Sequence, residues 1–209
     1  MSKTLFRPKL RLAERLGYAP SDDNWAVGKT QVVQWVNVEY EVFDKATGVS
    51  LLGPILGNQI WANLGGPCYT NNSGDIIAQY DKLNNVWVLS QPVFTAPYYD
   101  CFAVSQTSDA TGAYNLYQFT LPNNNTYFPD YPKTGIWPDA YYRTYNIFPN
   151  LQYFAFGQVC AFDGAAMRAS LAATVQCFNG DNSGLTSSDG GLLPSDVDGT
   201  TPPPAGELR

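Results

Sequence analysis

A turn built on aspartate recurs along this chain, and it limits the fold more than any other feature. Val42-Phe43-Asp44-Lys45-Ala46-Thr47-Gly48 resembles Gln79-Tyr80-Asp81-Lys82-Leu83-Asn84-Asn85, and both resemble Ala161-Phe162-Asp163-Gly164. Each is a hairpin signal, because the aspartate bonds backbone amides just ahead of it and the closing Gly or Asn accepts a positive φ. The first two aspartates are 37 positions apart and the next interval is 82, close to two periods of 41. A repeat of about 40–50 residues suits the four-stranded blade of a β-propeller. Ser108-Asp109-Ala110-Thr111-Gly112 repeats the turn off that register, as a second kind of hairpin does.

Between the turns run short stretches rich in Val, Trp, Tyr and Phe, at 32–40, 76–80, 86–91, 101–106, 114–120, 140–146 and 157–162. β-branched and aromatic runs broken by Asn, Gly, Asp and Pro read as strands. Helical periodicity is confined to 9–16 and to a short helix near 164–173, which Asp163 is placed to cap. The expected fold is all-β, with antiparallel sheets arranged as blades of a partial β-propeller. About four blades fit the roughly 190 residues after Pro20, whereas closed rings often hold six to eight. An incomplete ring leaves open sheet edges, which favour a homo-oligomer or polymer.

Charge divides the chain. Residues 1–20 hold five bases and one acid, whereas 21–206 hold six bases and sixteen acids. The acidic body repels phosphate backbones and anionic headgroups, which argues against nucleic acid and against a membrane surface. No apolar run approaches the roughly 18 residues of a membrane span. The three regions expected are a basic segment at 1–20, β repeats at 21–179, and a Gly, Ser, Asp and Pro-rich loop or linker at 180–209. No apolar signal-peptide core is visible in the first twenty residues.

The sequence contains no histidine. That removes the commonest general base, the Ser-His-Asp and Cys-His arrangements and every imidazole metal site supplied by this chain. Four cysteines, Cys68, Cys101, Cys160 and Cys177, lack Cys-x-x-Cys spacing. An even count in a chain of low charge fits an oxidising extracellular compartment and two disulfides. Three connectivities are open to four cysteines, with buried free thiols as the alternative; proximity favours Cys68 with Cys101 and Cys160 with Cys177.

Several segments together resemble a family of secreted bacterial proteins with propeller-type repeats. They include Trp25-Ala26-Val27-Gly28, Val33-Gln34-Trp35-Val36-Asn37, Trp87-Val88-Leu89-Ser90-Gln91, Gly135-Ile136-Trp137-Pro138-Asp139 and Leu193-Pro194-Ser195-Asp196-Val197-Asp198-Gly199. The resemblance covers about residues 21–206 and implies an extracellular protein of which this chain resembles the first half. It is distantly similar to sialidase-like propellers, but Arg143 and Arg168 alone do not make a three-arginine clamp.

Paired carboxylates are the catalytic apparatus that this composition allows. Candidates are Asp75, Asp81, Asp130 and Asp139, with Asp130 and Asp139 bracketing a segment in which Trp137 and Tyr141 are placed to stack on a sugar. Trp61 and Trp25, beside polar segments, are further candidates for an exposed carbohydrate surface, whereas Trp35 and Trp87 read as core. Asp196 and Asp198 are the best-spaced carboxylates for calcium, the cofactor most compatible with such a chain, although none is required. The leading expectation is a non-catalytic extracellular module that binds or self-assembles. A polysaccharide hydrolase and a calcium-dependent lectin-like module are the alternatives.

Overall fold

The structure, a computed structural model, describes residues 20–180 and 189–204. The helix expected at 9–16 lies outside the described residues. Among the described residues, twelve strands form three antiparallel sheets, each a simple meander. The first contains β1 (Asn24–Val27), β2 (Gln31–Val36), β3 (Glu39–Asp44) and β4 (Ser50–Leu56). β5 (Ile77–Asp81), β6 (Val86–Val93), β7 (Tyr99–Ser105) and β8 (Tyr114–Thr120) make the second. The third has β9 (Tyr127–Ile136), β10 (Tyr141–Pro149), β11 (Phe156–Phe162) and β12 (Val175–Asn179). The short helices are α1 (Gly66–Thr70) and α2 (Gly164–Arg168).

The all-β, antiparallel expectation therefore holds, with three sheets among the described residues where the repeat length had suggested about four. The difference comes from the register of the turns. Asp44, Asp109 and Asp163 close the third strand of successive sheets, at intervals of 65 and 54 positions. Asp81, by contrast, ends a first strand. Treating Asp81 as equivalent to Asp44 shortened the period, and the turn at Asp109, read as off register, is the one in step. Each of the three takes backbone amides as expected: Asp44 from Thr47 at 2.7 Å, Asp109 from Thr111 at 2.9 Å and Asp163 from Ala166 at 2.9 Å. The last bond caps α2, which ends at Arg168 rather than near 173. Residues 32–40, expected as one strand, are split by a turn at Asn37, which has φ 48°.

The second sheet is buried on both faces. Trp87 and Leu89 of β6 and Cys101 and Ala103 of β7 pack toward the first sheet, among Val33, Trp35, Tyr40 and Val42. Val86, Val88, Phe102 and Val104 pack toward the third, among Tyr141, Tyr145, Ile147 and Phe162. This two-sided burial makes β6 and β7 continuous apolar runs rather than alternating ones, and each large side chain contributes about 1.5–3 kcal/mol. Close packing reaches the backbone at Gly28, where a Cβ would lie 2.6 Å from the Trp87 ring.

Residues 189–198 contain no regular element yet are held along the third sheet. Thr144 Oγ1 donates to the Leu192 carbonyl at 2.6 Å, and Val197 N donates to the Ile136 carbonyl at 3.0 Å. Gly135 is needed beneath this segment, because any Cβ there would run into the Ser195 carbonyl.

Two disulfides form, Cys68–Cys101 and Cys160–Cys177, in the pairing that proximity favoured. Disulfides fit an oxidising, extracellular compartment. Among the described residues, no helix is long and apolar enough to cross a membrane.

Candidate functional site

The first strands of the three sheets converge: β1 packs beside β5, and β5 beside β9. Two side chains bridge them to backbone, Asn24 Oδ1 accepting from Ala78 N at 2.8 Å and Gln79 Nε2 donating to the Thr134 carbonyl at 2.7 Å. A left-handed residue lies two positions before regular pairing begins in β1 and in β5, and two positions before it resumes after a bulge inside β9. These are Asp22 before Asn24 (φ 42°), Asp75 before Ile77 (φ 48°) and Tyr131 before Lys133 (φ 51°). Aspartate tolerates this region through local bonding, and in β9 the same geometry is a bulge between Asp130 and Lys133.

All three left-handed residues line one cleft of about 260 Å³, together with Asp23, Ile76 and Lys133. Burial pushes the Asp75 carboxyl above the usual range, and Asp130 and Asp22 push it further. Lys133 is pushed down by burial, against the pull of Asp75 and Asp130. Its ammonium sits 3.2 Å from the centroid of the Tyr131 ring, which is 54% exposed. The cleft thus combines hydrogen-bond acceptors, one cationic donor and an accessible aromatic face.

A carboxyl with a raised folded-state pKa favours folding when protonated, so its contribution is lost as pH rises from the unfolded value through the folded one. Asp75→Asn removes this loss, and Asn tolerates a positive φ as well as Asp does. The variant is expected to unfold at higher urea concentration than wild type at pH 7. The difference should vanish at pH 3, where both side chains are neutral.

Behind the cleft, a polar group is enclosed between the second and third sheets. Arg143 Nε lies 3.0 Å from Asp100 Oδ2, with both side chains essentially unexposed. The Tyr145 hydroxyl donates to the same carboxylate and Arg143 Nη1 donates to Ser90 Oγ. Burial pushes Asp100 up, opposed first by Arg143, and holds Tyr145 well above its ordinary value. A second buried group joins Asp81, Tyr141 and Arg168: the Tyr141 hydroxyl donates to Asp81 at 2.9 Å and accepts from Arg168 at 3.1 Å.

These positions revise the expected site. Asp130 of β9 pairs with Asn146 of β10, whereas Asp139 lies in the turn beyond Ile136, at the opposite end of the hairpin. About six strand residues separate them, roughly 15–20 Å, which exceeds the ~5–9.5 Å of a glycosidase pair. Asp130 is instead coupled to Asp75. Tyr141 is fully buried on Asp81 and offers no stacking face. Trp61 is also fully buried, its indole donating to the Phe102 carbonyl at 3.1 Å, because the polar segment around it folds over the core. Trp137 is half-buried at the β9–β10 turn, and Trp25 is 65% exposed.

Asp196 is occupied in holding the C-terminal segment, accepting from Ile136 N at 2.7 Å, and the Asp198 carbonyl accepts from Lys82 at 2.6 Å. Among the described residues no three His, Cys, Asp or Glu side chains gather as a metal site. Tyr131 and Lys133 carry no chemical signal of their own in the sequence; Pro132 between them is tolerated because β9 is an edge strand.

Compared with protein-family models, with curated proteins and with solved structures, the chain matches none of them.

Proposed function

We propose that this chain is a secreted, non-catalytic module of the β-propeller type, like the bacterial repeat proteins its sequence resembles, and that it binds a polysaccharide in the cleft between β1, β5 and β9. The observation that carries this reading is the threefold recurrence of one backbone device, with Asp22, Asp75 and Tyr131 brought to a single cleft. First strands gathered side by side, with later strands running outward, are the arrangement of propeller blades about an axis. Carboxylates accept sugar hydroxyls, Lys133 donates, and the Tyr131 ring packs on a sugar face once the lysine is displaced.

The test is isothermal titration with soluble polysaccharides, with and without calcium, against wild type and Tyr131→Ala. Loss of one aromatic contact worth about 0.5–1.5 kcal/mol is expected to weaken binding about two- to tenfold. Equal affinity of the two proteins removes the cleft as the site. Sugar release that disappears in Asp75→Asn promotes the hydrolase alternative, with Asp75 and Asp130 as the carboxylates; dependence on calcium promotes the lectin-like one.

Self-association through sheet edges is the second reading. Two edges are blunted, β4 by Pro54 beside a bulge and β9 by its bond to Val197, whereas β12 is an edge strand on which Phe178 is 57% exposed. Light scattering of the non-reduced protein decides it: a multiple of 23.0 kDa supports association and a 23.0 kDa species removes it.

A further inference from the structure

A second cavity lies away from the cleft, at the outer strands of the first two sheets, and shares no residue with it. It has a volume of about 210 Å³. Tyr40 of β3, Leu52 of β4 and Ile60 form one wall; the β7–β8 turn at Ala110, Tyr114 and Leu116 of β8 form the other. The walls are pinned together, because Gln31 of β2 donates to Asp109 Oδ1 at 2.8 Å and accepts from Ala110 N at 2.7 Å. The site is therefore preformed.

Its polar groups differ in one respect. The Tyr114 hydroxyl is satisfied, donating to the Ala110 carbonyl at 2.8 Å. Tyr40 is only 5% exposed and lines the cavity, and its hydroxyl makes no hydrogen bond to a described residue. The hydroxyl is not sealed from water, so a partner entering the cavity exchanges a water contact for a direct hydrogen bond. Burial alone pushes this hydroxyl up to about 12, so it remains a neutral donor at physiological pH. Among the described residues, no charged side chain lines the cavity. An ion bound there would lose its hydration without compensation, so the ligand is neutral.

We propose that this cavity binds a small neutral aryl alcohol or phenol, its ring against Leu52, Ile60 and Leu116 and its oxygen accepting from the Tyr40 hydroxyl. Size is consistent: an apolar cavity of about 150 Å³ holds benzene, so the larger volume here admits a ring with one short substituent. A ligand of about eight heavy atoms in a site of this kind is expected to bind with a dissociation constant on the order of 0.1–1 mM.

The test uses the whole protein and two matched probes, benzyl alcohol and toluene. The Trp35 ring is 5.1 Å from that of Tyr40, so tryptophan fluorescence reports occupancy. Wild type is expected to bind benzyl alcohol saturably and more tightly than toluene. Tyr40→Phe removes only the unpartnered hydroxyl and so keeps the fold. It should weaken benzyl alcohol about five- to tenfold, the equivalent of one hydrogen bond, and leave toluene unchanged. No saturable signal up to 10 mM, on the order of ten times the expected constant, overturns the proposal; so does equal weakening of both probes, since a purely packing role for Tyr40 would not distinguish them.

Discussion

Replacing Arg143 by methionine is expected to destabilise the protein by about 3–5 kcal/mol, the usual result of stranding one partner of a buried ion pair. Arg143 and Asp100 are both enclosed between the second and third sheets, 3.0 Å apart. Asp100 also accepts from Tyr145, but that neutral hydroxyl does not replace a charge. The loss should depend on pH. Burial already raises the Asp100 carboxyl against the pull of Arg143, and without the arginine it rises further. Above its folded pKa the variant carries an unpaired buried anion. Below the ordinary carboxylate value of about 3.9 the group is protonated in both folded and unfolded chains, and the penalty shrinks. Asp100→Asn in the Arg143→Met background should recover a large part of the stability at pH 7, because the pair is then neutral on both sides. Urea unfolding of the single and double variants at pH 3 and pH 7 measures this. A loss below about 1 kcal/mol in Arg143→Met, the value of an exposed pair, would show that water reaches the group and that the interface is not closed.

That network was invisible in the sequence, and the reason is physical. Arg143 lies in a run of polar and aromatic residues, Tyr142-Arg143-Thr144-Tyr145, which reads as an alternating, half-solvated strand. Nothing local announces that the opposing sheet supplies Asp100 and Ser90. The same limit governs Trp61 and Tyr141, whose polar sequence neighbours suggested exposure while long-range packing buried them. Features decided within a few residues were legible: the Asp163 cap, the Asp44 turn, and the runs of β6 and β7, whose two-sided burial leaves an unbroken apolar signature. The disulfide pairing was legible too, because short loops dominate closure. The spacing of the sheets was misjudged because a first-strand turn and a third-strand turn use the same aspartate chemistry, so sequence likeness did not mean equivalent position. Of the cleft, Asp75 was recognisable as an acid, but its meeting with Tyr131 depends on left-handed residues at the starts of β1 and β5 and at the bulge within β9. Backbone angles of that kind are only weakly signalled by aspartate and not at all by a tyrosine.

Removing the disulfides should produce two distinguishable losses, ordered by the loop each closes. Cys68–Cys101 spans 33 positions and ties α1 to the central strand β7, whereas Cys160–Cys177 spans 17 and joins neighbouring strands β11 and β12. Chain-entropy estimates for such loops are about 3.7 and about 3.1 kcal/mol. The true gap should be wider. The Cys160 and Cys177 positions face each other in an existing ladder and are held there by backbone bonds without the link, whereas α1 has only five residues and little independent stability. Both sulfurs of Cys68–Cys101 are in fully buried residues, but Cys177 is half-buried on the edge strand. Thiolate attack needs access. Under dithiothreitol in native buffer, Cys160–Cys177 should open first, and Cys68–Cys101 only on the timescale of global unfolding. Timed alkylation with mass spectrometry reads the order directly, and urea unfolding of Cys68→Ala/Cys101→Ala against Cys160→Ala/Cys177→Ala reads the sizes. Simultaneous reduction of both bonds in native buffer would mean that α1 opens locally, exposing the first core between the sheets. In that case the Cys68 variant should lose much less than the loop estimate, because the segment it anchors is not tightly held in the folded state.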